Sequence, residues 1–157
     1  MGFAVGKNRV ARMMKEIGLR SIVRRKYRAT TDSKHSHPVA ENLLKRDFTA
    51  SCPDSVWVSD ITYIATKRGW SYLTVFIDLF SRRVVGWALS SSLRTQMVLT
   101  ALKRGIRNRR PGAGLIIHSD RGVQYACKDF RKVLKDHHFI QSMSRKGDCW
   151  AVSEKSL

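Results

Sequence analysis

Acid is what this chain is short of. Only 12 of its 157 residues are Asp or Glu, against 30 Lys and Arg, giving a formal net charge of +18. Such an excess destabilises a compact state by self-repulsion, and a polyanionic partner is the natural explanation. Nucleic acid fits that role best, a membrane surface less well. Long apolar runs are also missing: none approaches the roughly 20 residues of a spanning helix, so no membrane partner is expected. The opening "MGFAVGKNRVAR" lacks the apolar core of a secretory signal. Cysteine is scarce, and Cys52, Cys127 and Cys149 form no CxxC, so they read as reduced thiols of a cytosolic protein. His35, His37, His137 and His138 have no Cys partners at zinc spacing, which excludes a zinc module and leaves them as surface residues.

What is present falls into three parts. Residues 1–28 are basic and helical, with Val10, Met13, Met14 and Ile17 at helical spacing before Gly18. Residues 29–52 are polar, hold one of the three prolines with a second directly after them at Pro53, and read as a linker in which "ENLLKRDF" forms at most one helical turn. From residue 53 the pattern is that of a globular domain. "VWVSDITYIAT" and "WSYLTVFIDLF", rich in β-branched and aromatic residues, flank the turn "KRG" as a hairpin, and "RRVVGWALS" adds a third strand. "TQMVLTALKRGIRNRR" is an amphipathic helix, "GLIIHSD" a buried strand, "CKDFRKVLKDHH" a second helix and "FIQSMS" a last strand. The order β-β-β-α-β-α-β predicts an α/β fold with a mixed sheet. Trp57, Trp70 and Trp87 are expected in its core.

Residues 53–157 alone carry a net +10, so their few acids stand out. Asp60 lies inside the first strand, against β-propensity, and a buried charge is expensive unless paired or metal-bound. Asp120 ends the strand "LIIHSD" where it opens into a turn. If the first strand is central and the fourth returns beside it by a right-handed crossover, the two carboxylates converge. They then repel each other unless a cation sits between them, and Mg²⁺ is the hard ion such oxygens select. The plain alternative is that Asp120, before Arg121-Gly122, is a turn residue.

Four strings in register, "WVSDITYI", "GWSYLTVFIDLFSRRVVGW", "HSDRGVQY" and "SMSRKGDCW", resemble the integrase core of bacterial insertion-sequence transposases. In that group the second reading frame encodes a DDE recombinase related to retroviral integrases. The resemblance runs from about Asn42 to Glu154, two-thirds of the chain. It implies an RNase H-like fold and DNA strand transfer dependent on two Mg²⁺ (or Mn²⁺) ions. It implies catalytic, metal-binding roles for Asp60, Asp120 and Glu154, and a partial helix-turn-helix over residues 1–28. DNA ends (terminal inverted repeats) and target DNA are the implied partners, with a homo-oligomer on DNA and a partner reading-frame product. The implied location is the bacterial cytoplasm, at the nucleoid.

Lys7, Arg9, Arg12, Arg24, Arg25, Arg107, Arg109, Arg110, Arg121, Arg145 and Lys146 are the cations expected to face DNA. For "KRGIRNRR" a solvated helix end, where cations suit the macrodipole, is the equal alternative. Asp78 is expected to be structural, pairing with Arg82 or Arg83 or capping the turn at Ser81.

The third acid departs from the family pattern. Cys149-Trp150 is followed by Ala151-Val152 rather than by Asp-Asn, and the interval of 33 residues between Asp120 and Glu154 is about two short. Inside a helix that loss rotates Glu154 by roughly 200° and shifts it by about 3 Å. With three residues after Glu154, the sequence reads as a truncated core. A non-catalytic, basic DNA-binding remnant is therefore the alternative to an active transposase.

Overall fold

The computed structural model describes residues 6–19 and 36–145. They belong to two units, Met1–Thr30 and Thr31–Leu157. In the first, helix α1 (Lys7–Glu16) matches the expected helix. It ends where Gly18, at φ +72, turns left-handed and Leu19 N–H bonds back to Met14 O at 2.8 Å. Its apolar residues Val10, Met13 and Ile17 are exposed.

The second unit is built on a five-stranded sheet of order β3-β2-β1-β4-β5. Strand β1 (Val56–Thr66), β2 (Gly69–Asp78) and β3 (Val84–Ser90) form the expected antiparallel meander. Helix α2 (Thr95–Arg109) carries the chain back, so that β4 (Ile116–Ser119) runs parallel to β1. Two helices follow, the short α3 (Val123–Ala126) and α4 (Lys128–Asp136), before β5 (Ile140–Met143) adds parallel to β4. The split into α3 and α4 was not apparent in the sequence. Cys127 makes it, its thiol capping α4 by accepting from Phe130 N–H.

Alternation along β1 sends Trp57, Ser59 and Ile61 to one face and Val56, Val58 and Asp60 to the other. All three helices cover the first face. Trp57, Phe76, Leu102, Ile117, Tyr125 and Phe130 form the main core there, each essentially without solvent contact. Helix α2 lies so close that a Cβ on Gly86 would meet Ala101 O at 2.2 Å, and one on Gly105 would meet the Trp57 ring at 3.0 Å.

On the second face a smaller core of Leu44, Phe48, Val56, Val58 and Leu79 lies under residues 36–50. The segment expected as a linker is thus, from residue 36, a packed arm: Leu44 and Phe48 are buried while Val39 and Leu43 stay exposed, and its turn at Leu44–Asp47 is not helical. Beyond the arm none of the described residues covers this face: Trp87, expected in the core, is 53% exposed, with Val84 and Leu89 beside it. Trp70, opposite Ala65 at the far end of the hairpin on the helix-covered face, is 58% exposed. Of those three tryptophans only Trp57 is interior. The free edge of β3 is closed by α2: Arg104 donates to Trp87 O at 2.9 Å and lies over its ring, and Asn108 donates to Val85 O at 3.2 Å.

Asp78 caps the β2–β3 turn as expected, accepting from Ser81 N–H at 3.0 Å and Ser81 O–H at 2.5 Å, and also from Asp54 N–H at 3.0 Å. The Asp54 carboxylate in turn accepts from Trp57 Nε1 and is forked by Arg109 at 3.0 and 2.9 Å.

Candidate active site

Strand β1 is central and β4 is its parallel neighbour, the arrangement needed to bring the two anomalous acids together. The register Val56↔Ile116, Trp57↔Ile117, Val58↔His118 has a constant offset. Two residues further on it sets Asp60 level with Asp120. Neighbouring strands lie about 4.8 Å apart. Both residues fall on the face of Val58 and His118, and both are half-buried. The acids thus meet at the C-terminal lip of the two innermost strands of the sheet.

Asp120 is held firmly. Its carboxylate accepts from Gly122 N–H at 2.9 Å, and Arg121 Nε donates to Ser144 O at 2.8 Å, tying the following turn to the end of β5. Burial raises its pKa above the ordinary carboxylate value, the Gly122 N–H pulls the other way, and the neighbouring charge of Asp60 adds to the rise. Among the described residues neither acid forms an ion pair with Lys or Arg. Two like charges on one face, in a protein of net charge +18, are left without an ion pair to any described cation. That donor set fits a hard divalent ion, which takes one or two carboxylates and completes its shell with water and phosphate oxygen. No group of three metal-ligating side chains occurs among the described residues. Glu154, the expected third acid, lies outside them.

Beside the acids His118 is buried. Its Nδ1 is 2.9 Å from Ser142 Oγ, which accepts from Leu43 N–H of the arm, and its Nε2 has no partner among the described residues. Phe48 meets the imidazole edge-on. Burial lowers its pKa to about 4, so the imidazole is neutral at physiological pH. Ser142 and Leu43, with the Ser59 and Tyr125 hydroxyls behind the acids, were missed by sequence reasoning. The only signal was polar residues inside otherwise apolar strands.

The expected DNA-facing cations separate into groups. Arg9, Arg12, Arg107, Arg110 and Arg145 are exposed. Arg121 is bound to Ser144 O beside Asp120, and the half-buried Arg109 is bound to Asp54. Lys7 begins α1, while Arg24, Arg25 and Lys146 lie outside the described residues.

Comparison with known proteins identifies the fold and the family. Solved structures with this fold include the HTLV-2 integrase catalytic core domain in complex with magnesium, with TM-score 0.55 and 21% identity, covering 60% of this chain and 63% of that one. The simian T-cell lymphotropic virus intasome aligns with TM-score 0.57 and 20% identity over 65% of this chain and 38% of that one. The sheet is therefore RNase H-like. Among curated proteins, an insertion element IS600 protein of 31 kDa from Shigella sonnei is 44% identical over 95% of this chain and 55% of its own length. The transposase InsF for insertion sequence IS3A from Escherichia coli K12 is 41% identical over 95% of this chain and 52% of its own length. The chain spans about half the length of the curated relatives it matches. Residues 50–149 match the integrase core domain family, a span that includes the whole sheet and both lip acids, and the chain belongs to that family.

Proposed function

We propose that this chain is the catalytic core of a DNA transposase, acting in transposition by metal-dependent phosphodiester hydrolysis and strand transfer. The observation that carries the reading is the pair Asp60 and Asp120, level with each other on adjacent central strands and without an ion-pair partner among the described residues. These two would hold Mg²⁺ or Mn²⁺, with Glu154 as the family's third acid. When bound, such ions supply Lewis-acid activation of a water or 3′-hydroxyl and neutralise charge at the phosphate.

The chain's own part is positional. Gly122 N–H fixes the Asp120 carboxylate, the Arg121–Ser144 bond fixes its turn, and the arm behind His118 keeps the second face dry at the level of Val58. DNA is the partner, its backbone met by exposed cations such as Arg107, Arg110 and Arg145, with assembly of copies on the DNA. A strand-transfer assay on terminal-repeat DNA with Mg²⁺ or Mn²⁺ tests the proposal. Activity in the wild type that Asp60→Asn and Asp120→Asn each abolish is the expected result. Equal product from all three would overturn it.

A further inference from the structure

We propose that Tyr125 is a positioning residue for the acid pair, acting through Ser59 from the opposite side of the sheet. The inference rests on the metal reading of Asp60 and Asp120. Ser59 precedes Asp60 in β1 and points to the helical face, where only 1% of it is exposed. Its hydroxyl donates to Val75 O at 2.9 Å, and its oxygen lies 2.8 Å from the Tyr125 hydroxyl. A serine has one hydroxyl proton. Since that proton goes to Val75, Tyr125 must be the donor to Ser59. The bonds run in one direction, from Tyr125 to Ser59 to Val75, and Val75 is the ladder partner of Asp60.

The other end of this chain of bonds is Asp120. Tyr125 sits in α3, five residues after that acid, and the intervening turn is stiff. Gly122 N–H binds the Asp120 carboxylate at 2.9 Å, while Gly122 O accepts from Tyr125 N–H at 3.0 Å and Ala126 N–H at 3.1 Å. Gln141 of β5 holds Tyr125 O at 2.7 Å. The phenol is wholly buried, edge-on to Phe130 at 5.5 Å. One hydroxyl therefore connects the turn that carries Asp120 to the backbone beside Asp60. A phenylalanine would fill the same volume without making the connection.

Partners that orient metal ligands typically alter metal affinity 10–100-fold when removed. Titration of the full chain with Mn²⁺, followed by loss of the free-ion electron paramagnetic resonance signal, tests the inference. The wild type is expected to bind, and Asp60→Asn and Asp120→Asn to lose binding. Tyr125→Phe is expected to bind about tenfold more weakly, at the low end of that range. Ser59→Ala is expected to lose a similar factor, and the double variant no more than either, because one connection is broken. A role in packing alone would lower Tm and leave Mn²⁺ affinity unchanged. Wild-type affinity in Tyr125→Phe, with the Asp variants defective, overturns the positioning role and leaves the metal site standing. Losses that add in the double variant overturn it as well. Failure of the wild type to bind, or binding indifferent to Asp60→Asn and Asp120→Asn, overturns the metal reading and this inference with it. If Tyr125→Phe does not fold, Ser59→Ala decides alone.

Discussion

Asp120 is harder to ionise in the folded chain than in water, chiefly because it is buried and further because Asp60 faces it. The folded state therefore holds its proton more tightly than the unfolded chain does. Stability accordingly falls as pH rises from 3.8 through the raised folded value. At neutral pH the anion is a standing cost, so Asp120→Asn is expected to raise Tm of the metal-free protein while abolishing the response to Mn²⁺. In the wild type, Mn²⁺ at a hundred times its dissociation constant is expected to add about 2.7 kcal/mol. Paired melting curves with and without the ion check both statements. His118 has the opposite slope. Its folded pKa of about 4 lies below the unfolded 6.5, so protons bind the unfolded chain preferentially between those values and stability falls as pH drops through them. The loss amounts to about 3 kcal/mol. Urea midpoints from pH 7 to 4 are expected to decline less steeply in His118→Gln than in the wild type. At this scale the sequence was informative where chemistry was out of place: a carboxylate in an apolar strand is an anomaly anyone can see. Ser59 and Tyr125 are ordinary in a strand and a helix, and only the crossover that stacks α3 under β1 gives them meaning.

Between elements, the tightest contact is α2 on β3. At Gly86 an added Cβ would strike the backbone of Ala101 and Gly105, atoms that cannot move without shifting the helix. At Gly105 it would press on the Trp57 ring, a side chain with some freedom, and helix propensity favours Ala over Gly by about 1 kcal/mol. Gly86→Ala is therefore expected to cost about 3 kcal/mol or more, and Gly105→Ala less than about 1 kcal/mol, by chemical denaturation. The meander strands and helix α2 were readable from the sequence because period-2 and period-3.6 patterns are long there. The arm was not. Leu44 and Phe48 are buried while Val39 and Leu43 in the same polar stretch are not, and which of so sparse a set is covered depends on what the sheet offers. The Trp70 and Trp87 assignments failed for the converse reason: alternation says which face a strand residue takes, not whether anything covers that face.

For the whole molecule the dominant quantity is charge. With a formal +18, affinity for DNA is expected to fall steeply with salt, each phosphate contact contributing about −0.9 to the slope of log K against log salt. Removing exposed Arg107 and Arg110 together is expected to flatten that slope by about 2. Arg109→Ala, two residues from one and adjacent to the other, is expected to leave the slope unchanged. It lowers Tm instead, because Asp54 then keeps a partly buried charge without its partner. Fluorescence anisotropy titrations at several salt concentrations, with melting curves, separate the two behaviours.

The parallel joining of β1 to β4 also fixes an order of events during synthesis. Val58 meets His118, 60 residues further along, so the pairing closes a long loop whose entropy must be met before any contact repays it. Until β4 has left the ribosome and docked, Asp60 stands alone at the end of a three-strand meander. The same topology that builds the acid pair thus also delays it.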